Sequence, residues 1–406
     1  MKHFLLLPLI FAATVAAFSQ PTLIGARPVP GGGVEIVRWQ AMDSASLESF
    51  PTSLQGYMLS SSVFDAYNGN YYLNGVTGSG NCLFAFNSPT NATSAIPFAN
   101  GSNITEIDMS NGSIYTITMD TSGAFNVNQL NLATGNSSLL GMIVDPAIMG
   151  MVVDATAFDS EHGILFTEVV NNAGAMLLCR IFVRNEVFQY DFVPIQLQNP
   201  LCNYTCFHYD NLNNRLFALK MDNSGGGGTA GVVEINDSTG AVTDIGSLPP
   251  VTGIVAGSSC FDQQTGTYLI VAVGTSQQTL QIAFSTVTAA SASGYIPDRV
   301  SEIVCDNYSW AQAHYGLNGT GDGSARSILR LYPNPCDTRF TVDVKSSDPH
   351  FTVSLYDSQG RKCLSQASAH STATLSTGSL PAGIYLVTID SGTDHLSRKL
   401  EIMSAH

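Results

Sequence analysis

The chain has 406 residues, of which 44% are hydrophobic and only 12% are charged, and its formal net charge is −15. Residues 21–320 carry 7 Lys and Arg against 23 Asp and Glu, whereas residues 327–406 carry seven of each. The length allows two or three domains with large cores, and the acidic balance of residues 21–320 excludes nucleic acids and anionic membrane surfaces as partners.

Residues 1–19 have the pattern of a signal peptide. Lys2 and His3 precede an apolar run, residues 4–17, that is too short to span a bilayer, and Ala17-Phe18-Ser19 fits a cleavage site. We therefore expect a mature chain that begins at Gln20 and lies outside the cytoplasm, in the extracellular space or at the outer cell surface. No later segment is long and apolar enough to predict a membrane span.

Residues 20–318 contain a repeated turn. In Phe261-Asp262-Gln263-Gln264-Thr265-Gly266-Thr267-Tyr268-Leu269, an apolar residue, an aspartate and a glycine precede a β-type pair. Aspartate accepts hydrogen bonds from the backbone two residues on, and glycine adopts the left-handed conformation that closes such a turn. The turn aspartates, spaced 43, 51, 51, 52 and 44 residues apart, are Asp65, Asp108, Asp159, Asp210, Asp262 and Asp306.

The residue four positions after these aspartates supports the same interpretation. It is glycine in four repeats, and in a fifth it is Asn214, the next best residue for a left-handed backbone. A second polar turn, in residues 130–135 and 234–240, lies about halfway between successive aspartates. Each repeat therefore holds about four short strands, which is typical of a β-propeller blade. A calcium-binding ring of aspartates is the alternative, but the D-x-x-x-G context favours turn formation.

The two ends of this region predict how a ring would close. Asp306 is followed by Trp310 instead of glycine, and the short run up to Leu317 leaves room for two strands. Residues 34–37 and 47–51 resemble residues 233–235 and 245–249 and would supply the missing pair. The sequence thus predicts an all-β, six-bladed propeller whose closing blade is shared by both ends of residues 20–318.

Cysteine usage fits an exported chain. In an oxidising compartment we expect a mixture of disulfides and buried thiols, and spacing alone does not select a pairing. Without a C-x-x-C pair, no zinc or other metal site is predicted. Cys202 and Cys206 are close in sequence, and Cys260 and Cys305 fall near corresponding positions of neighbouring first strands. Cys336 and Cys363 share the last domain, and the remaining two cysteines are Cys82 and Cys179.

Familiar catalytic motifs are missing: the sequence has no G-x-S-x-G elbow, no H-E-x-x-H and no EF-hand loop. No motif in the sequence predicts a catalytic residue or a cofactor. His208 and Glu106 are the weak candidates, since they occupy corresponding positions of first strands, which line the channel of a propeller. Together they would supply acid–base chemistry in the channel. A packed or hydrogen-bonded core histidine is the competing interpretation of His208.

The composition changes after residues 319–327, a Gly- and Ser-rich linker. Residues 352–361 predict a strand and a turn, residues 380–389 a turn and a long strand, and residues 398–402 a final strand. About seven short strands in residues 328–406 are typical of a small Ig-like sandwich.

These phrases resemble the type A C-terminal sorting domain of the type IX secretion system of Bacteroidetes. The resemblance rests on the order Y-P-N-P, D-x-x-G-R, L-P-A-G-x-Y-x-V and K-L-x-I. It implies that the secretion machinery recognises residues 328–406 and exports the chain, and that the domain is then usually removed. An adhesive Ig-like domain is the alternative. The signal residues that the resemblance marks are Pro333, Asn334, Pro335, Gly360, Gly383, Tyr385 and Lys399.

Two functions remain open for residues 20–318. A polar surface of low charge and the missing motifs favour a binding or adhesion module for an extracellular ligand, either a glycan or a protein. His208 and Glu106 favour instead a secreted hydrolase or lyase that acts on an extracellular polymer at the channel. Polar side chains from several blades that converge on one pocket would distinguish the enzyme from the binding module.

Overall fold

The structure is a computed structural model that divides into two compact units, Met1–Trp310 and Ala311–His406. In the first unit and the residues just after it, it describes residues 20–98, 104–120, 123–185, 187–224, 229–296 and 300–315. Beyond these it describes residues 328–332, 336, 338–345, 350–357, 360–369, 372–378, 380–390 and 395–402. The predicted signal peptide and linker lie outside the described residues.

The described strands of the first unit form six antiparallel sheets of four strands each. The closing sheet begins with β1 (Thr22–Pro28), β2 (Val34–Gln40) and β3 (Asp43–Pro51). Sheet 1 holds β4 (Gly56–Asp65), β5 (Asn70–Thr77), β6 (Gly80–Asn87) and β7 (Thr93–Pro97). Sheet 2 holds β8 (Ile104–Asp108), β9 (Ser113–Met119), β10 (Phe125–Asn131) and β11 (Asn136–Ile143).

The later sheets continue the same order. Sheet 3 holds β12 (Ile148–Asp159), β13 (Ile164–Asn171), β14 (Met176–Phe182) and β15 (Gln189–Pro194). Sheet 4 holds β16 (Cys202–Asp210), β17 (Arg215–Asp222), β18 (Thr229–Ile235) and β19 (Val242–Ser247). Sheet 5 holds β20 (Val251–Asp262), β21 (Thr267–Gly274), β22 (Thr279–Ser285) and β23 (Ser291–Tyr295). β24 (Ser301–Cys305) pairs with β1 and completes the closing sheet.

The strands β4, β8, β12, β16, β20 and β24, which we call the axial strands, contact one another in sequence, and β24 also contacts β4. The predicted turn follows each of the first five. Asp65 illustrates it: its carboxylate accepts the amides of Tyr67 and Asn68, and its carbonyl accepts the amide of Gly69 at 2.7 Å. Asn214 has a φ of 54°, as its position in the repeat predicts. The turn-forming role of these aspartates is thus confirmed.

Hydrophobic cores lie between neighbouring sheets. In three of the described repeats the aromatic residue before the turn aspartate stacks on an aromatic ring of the preceding sheet, as Phe158 does on Tyr115, with ring centroids 5.2 Å apart. Tyr209 stacks in the same way on Phe166 at 5.4 Å. The repeated apolar-Asp pair in the sequence therefore encodes both the turn and the contact that holds one sheet on the next.

A belt of side-chain-to-backbone hydrogen bonds links the sheets at the turn end of the axial strands. It runs from residue to residue just after the turn aspartates. The Met109 amide donates to Ser160 Oγ at 2.9 Å, the Ser160 amide to Asn211 Oδ1 at 2.6 Å, the Asn211 amide to Gln263 Oε1 at 2.9 Å, and the Gln263 amide to Asn307 Oδ1 at 3.0 Å. Each bond crosses from one sheet to its neighbour and satisfies a buried amide.

The closing sheet differs from its predicted composition. It takes three strands from the N-terminal end and one from the C-terminal end, so the predicted division into two and two is wrong. Asp306 does not open a hairpin: Tyr308–His314 form a helix, α1, and Asp306 Oδ1 accepts the Tyr308 amide at 3.2 Å. Aspartate caps a helix as readily as it forms a turn. In the described part of the chain, no helix has the length and hydropathy of a membrane span.

Beyond α1, the described strands of the second unit form two antiparallel sheets. One holds β25 (Ile328–Tyr332), β26 (Arg339–Lys345) and β29 (Thr372–Ser376). The other holds β27 (Phe351–Tyr356), β28 (Lys362–Ser368), β30 (Gly383–Asp390) and β31 (His395–Ile402). Residues of both sheets, such as Phe340 and Val387, share one core. The all-β class predicted for the chain is confirmed.

Candidate functional site

All six axial strands contribute to the wall of one cavity of about 480 Å³. All six supply polar side chains, and on five of them these include Ser60 on β4, Glu106 on β8, Asp154 on β12, His208 on β16 and Glu302 on β24. β20 adds Gly257 and Ser259. A concave site of this size with a few convergent polar groups is typical of small-ligand binding.

Irregularities in the axial strands shape this wall. The register between an axial strand and its neighbour shifts in all six sheets, for example between Met151 and Thr156 of β12. Near the shift the backbone turns left-handed, with φ between 53° and 64°, at Ser60, Asp154, Cys206, Gly257 and Glu302. Such bulges expose amides and redirect side chains, and they are common beside functional sites.

Glu302 is a carboxylate held by these amides. Its Oε1 accepts the Ser60 amide at 2.6 Å and its Oε2 accepts the Ser61 amide at 2.9 Å, which joins the closing sheet to sheet 1. These bonds favour the ionised form, but burial outweighs them and raises the pKa of Glu302 to about 7. Near neutral pH this group therefore exists in both protonation states.

Two further carboxylates reach the cavity from sheets 2 and 3. Glu106 Oε1 accepts a hydrogen bond from Thr156 Oγ1 at 2.9 Å, and burial raises the pKa of Glu106 to about 7. Asp154 Oδ2 accepts the Gly257 amide at 3.1 Å, so it ties sheet 3 to sheet 5. The cavity thus holds three carboxyl groups on three different sheets.

His208 is placed at the cavity, as the sequence suggested, but not beside Glu106 in a hydrogen-bonded pair. Its Nε2 lies 2.9 Å from Ser259 Oγ, and its ring packs edge-on against Tyr268 with centroids 5.1 Å apart. Burial lowers the pKa of His208 to about 3, so the imidazole is neutral at physiological pH. Its contacts match those of the hydrogen-bonded core histidine that was the competing interpretation.

Among the residues that the structure describes, no Lys or Arg lines the cavity. In the described part of the first unit every basic residue forms an ion pair with a carboxylate elsewhere. These pairs are Arg27–Glu35, Arg38–Glu48, Arg180–Asp191, Arg184–Asp108, Arg215–Glu234 and Lys220–Asp244. The three cavity carboxyls therefore have no cationic side chain beside them. Among the described residues, no three His, Cys, Asp or Glu side chains are placed to hold a metal ion.

Methionines form part of the cavity rim. Met119 at the end of β9 and Met149 at the start of β12 both line the cavity and are 62% and 66% exposed. The cavity therefore combines acidic walls with a flexible apolar rim, which suits a ligand that has both a polar and an apolar part.

A fourth carboxyl is buried away from the cavity. Glu168 on β13 is fully buried, and neither of its carboxyl oxygens has a hydrogen-bond partner. Burial raises the pKa of Glu168 to about 8, so the group is mostly protonated at neutral pH.

The sequence did not single out Asp154, Ser259 or Glu302. A signal was present, because these residues lie five, three and four positions before a turn aspartate. Alternation along a strand predicts which residues share a face only while the strand is regular. The bulges break that alternation, so an alignment of the repeats on their aspartates would have been needed to find these residues.

The predicted sorting residues can be placed in part. Tyr385 is buried, and its hydroxyl donates to the Pro381 carbonyl at 2.8 Å. Gly360 has a φ of 75° in the turn between β27 and β28. Gly383 begins β30, and Lys399 lies in β31. Pro333, Asn334 and Pro335 lie outside the described residues.

Residues 330–403 match the family model of a secretion system C-terminal sorting domain. This confirms the resemblance to the type IX sorting domain and indicates a secreted or cell-surface protein. No curated protein sequence matches the chain.

Several solved structures are similar to the chain, and the first of those given below, whose TM-score exceeds 0.5, supports a β-propeller fold. TolB from Acinetobacter baumannii has a TM-score of 0.53 at 10% identity, over 73% of this chain and 69% of that one. A putative TolB from Agrobacterium tumefaciens has a TM-score of 0.45 at 7% identity, over 68% and 89%. A chain of a nidogen/laminin complex has a TM-score of 0.48 at 9% identity, over 71% and 99%. At these identities the likeness concerns the fold alone.

Proposed function

We propose that the six four-stranded sheets are the blades of a six-bladed propeller formed by residues 20–318. The contacts of the axial strands, which run from β4 round to β24 and back to β4, support this arrangement. Residues 1–19 act as the signal peptide and residues 319–327 as the linker. Residues 328–406 form an Ig-like sandwich that the type IX machinery recognises after the chain reaches the periplasm. The propeller is then displayed on the cell surface or released.

The propeller functions as an extracellular binding module whose ligand enters the axial cavity. The observation that carries this proposal is the convergence of Glu106, Asp154 and Glu302 from three sheets on one cavity that no described Lys or Arg lines. An uncompensated acidic site attracts a positive charge, and the exposed Met119 and Met149 offer apolar contact beside it. The favoured ligand group is therefore an ammonium or guanidinium on an apolar stem, as a lysine or arginine side chain of a protein presents.

Matched probes test this assignment. Lysine amide and norleucine amide have similar stems and differ in the terminal ammonium, and titration calorimetry with the full chain compares them. We expect lysine amide to bind, norleucine amide not to bind, and an E106Q or E302Q variant to bind lysine amide several-fold more weakly. E48Q removes an exposed carboxylate far from the cavity and serves as the control. Equal binding of both probes, or of neither, would overturn the cationic assignment.

Binding of a cation should depend on pH. The carboxyls of Glu106 and Glu302 have pKa values of about 7, and a cation favours their ionised forms. Between pH 6 and pH 8 the ionised fraction of such a group rises roughly tenfold, so affinity should rise roughly tenfold for each carboxyl that contacts the ligand. Binding that is independent of pH in the wild-type chain would show that neither group contacts the probe.

Hydrolysis is the second candidate function. The convergence of polar side chains from several sheets on one cavity, which was expected of an enzyme, favours it, as does the 2.9 Å contact between His208 Nε2 and Ser259 Oγ. A serine beside a neutral imidazole is the minimal arrangement of a nucleophile and a base. A pKa of about 3 makes His208 a weak base, however, which is why binding is preferred. A fluorophosphonate probe distinguishes the two: labelling of Ser259 in the wild type and not in H208A would establish a nucleophile, and binding alone predicts no labelling.

A further inference from the structure

Two buried cysteines meet where sheet 5 packs against the closing sheet. Cys260 lies near the end of β20 and Cys305 is the last residue of β24. Their sulfur atoms are 2.9 Å apart, and the two residues are only 5% and 2% exposed. Both belong to the same hydrophobic cluster, so their side chains point to one side of the packed strands.

We propose that Cys260 and Cys305 form a disulfide in the exported protein and so staple sheet 5 to the closing sheet. A covalent sulfur–sulfur bond is about 2.05 Å long, so the sulfur atoms need to approach by only about 0.9 Å. The two cysteines that are close in sequence are arranged differently. Cys202 and Cys206 belong to different hydrophobic clusters and thus face opposite sides of β16.

The reaction is a thiol–disulfide exchange with a protein disulfide as the oxidant. One of the two cysteines, as its thiolate, attacks the donor disulfide and forms a mixed disulfide. The thiolate of the second cysteine then displaces the donor, which leaves as a dithiol. The two protein sulfurs lose two protons and two electrons in total, and the donor gains both, so a periplasmic or extracellular oxidant completes the balance.

Burial fixes when the bond forms. In the folded unit the low exposure of both sulfurs shields them from a protein oxidant, and burial raises the pKa of the Cys305 thiol well above its usual range. Oxidation therefore occurs during folding, before sheet 5 and the closing sheet pack together. The same shielding protects the finished bond from reductants, so this disulfide is a structural staple and not a redox switch.

The position of the bond explains its use. β24 is the one strand that the C-terminal end of the unit gives to the closing sheet, and Cys305 is paired in register with Leu23 of β1. If β24 detached, its contacts with β20 of sheet 5 and with β4 of sheet 1 would be lost. A bond from Cys305 to Cys260 anchors this short strand to a twelve-residue strand on its other side.

Peptide mapping tests the proposal directly. The full chain is exported to an oxidising periplasm, denatured in iodoacetamide without reductant, digested and analysed by mass spectrometry. We expect a cross-linked peptide pair that contains Cys260 and Cys305 and is two hydrogen atoms lighter than its reduced parts. Alkylation of both residues, or a link from either one to another cysteine, would overturn the proposal.

Thermal unfolding supplies a second measurement. Reduction in denaturant followed by refolding under reductant should lower the Tm of the wild-type chain by about 5 °C, because a loop of this length is no longer closed. C305S should unfold at the same temperature with and without this treatment. C82S, which alters a buried cysteine of sheet 1, should keep the wild-type difference. The same difference in C305S as in the wild type would refute the assignment.

Discussion

Replacing Glu168 with methionine should stabilise the first unit, and by more at pH 8 than at pH 5. The carboxyl group is fully buried and neither oxygen has a hydrogen-bond partner. Methionine has a similar shape without the polar atoms, so E168M removes a group that favours the unfolded state, where water solvates it.

The magnitude follows from the change in pKa on folding. Burial raises the pKa of Glu168 from 4.5 to about 8, so between these values the folded state binds more protons than the unfolded state. Stability from this group is therefore fully present at acidic pH and is lost as the pH rises toward and through the folded pKa. The buried carboxyl lowers the free energy of unfolding by about 1 kcal/mol at pH 5 and by about 4 kcal/mol at pH 8. E168M removes this difference of about 3 kcal/mol.

Urea denaturation followed by tryptophan fluorescence measures this difference. The chain has two tryptophans, Trp39 and Trp310, and both lie in the first unit, so the signal reports that unit. T167V is the control: Thr167 is the adjacent buried residue whose hydroxyl also lacks a partner, but it does not titrate. The free energy gained by E168M should grow with pH, whereas any gain from T167V should stay constant. A gain from E168M that is equal at pH 5 and pH 8 would refute the reasoning.

Two further predictions concern the turns and the belt. N211A should lower the free energy of unfolding by about 1–3 kcal/mol, because the buried Ser160 amide loses its acceptor; a urea titration that shows no change would contradict the structural role of the belt. G163A should lower the free energy of unfolding by more than 1 kcal/mol, because the φ of Gly163 is 70° and a Cβ there would lie 2.4 Å from Arg184 Cδ. N214G, at the same position of its turn, should be neutral or slightly stabilising. Equal effects of these two variants on Tm would contradict the left-handed turn model.

The repeat could be recognised in the sequence because one short motif encodes two interactions. An apolar residue followed by aspartate specifies an aromatic contact between sheets and a turn closed by glycine, and both are local. Thr22–Pro28 was not predicted to be a strand, because its sequence contains glycine and ends in proline, which usually mark loops. The helix after Asp306 was not predicted for a related reason. An aspartate starts a turn or a helix equally well, and the rest of the fold decides which of the two forms.

The candidate site was harder to predict than the fold. His208 and Glu106 were found because they lie two residues before a turn aspartate, within the regular part of the strand. Asp154 and Glu302 lie at bulges, where the strand no longer alternates, and their amide partners come from strands distant in sequence. Their convergence depends on the ring being assembled, which one repeat alone does not reveal.

Protons and a bound cation compete for the carboxyl groups of the cavity. Burial raises the pKa of Glu106 and of Glu302 to about 7, so both carboxyls are partly protonated near neutral pH. A bound cation replaces those protons, so its binding at pH 6 to 7 must release them to the solvent. Calorimetry in buffers with different ionisation enthalpies counts the released protons. A count of zero would mean that the ligand is neutral or that it binds elsewhere.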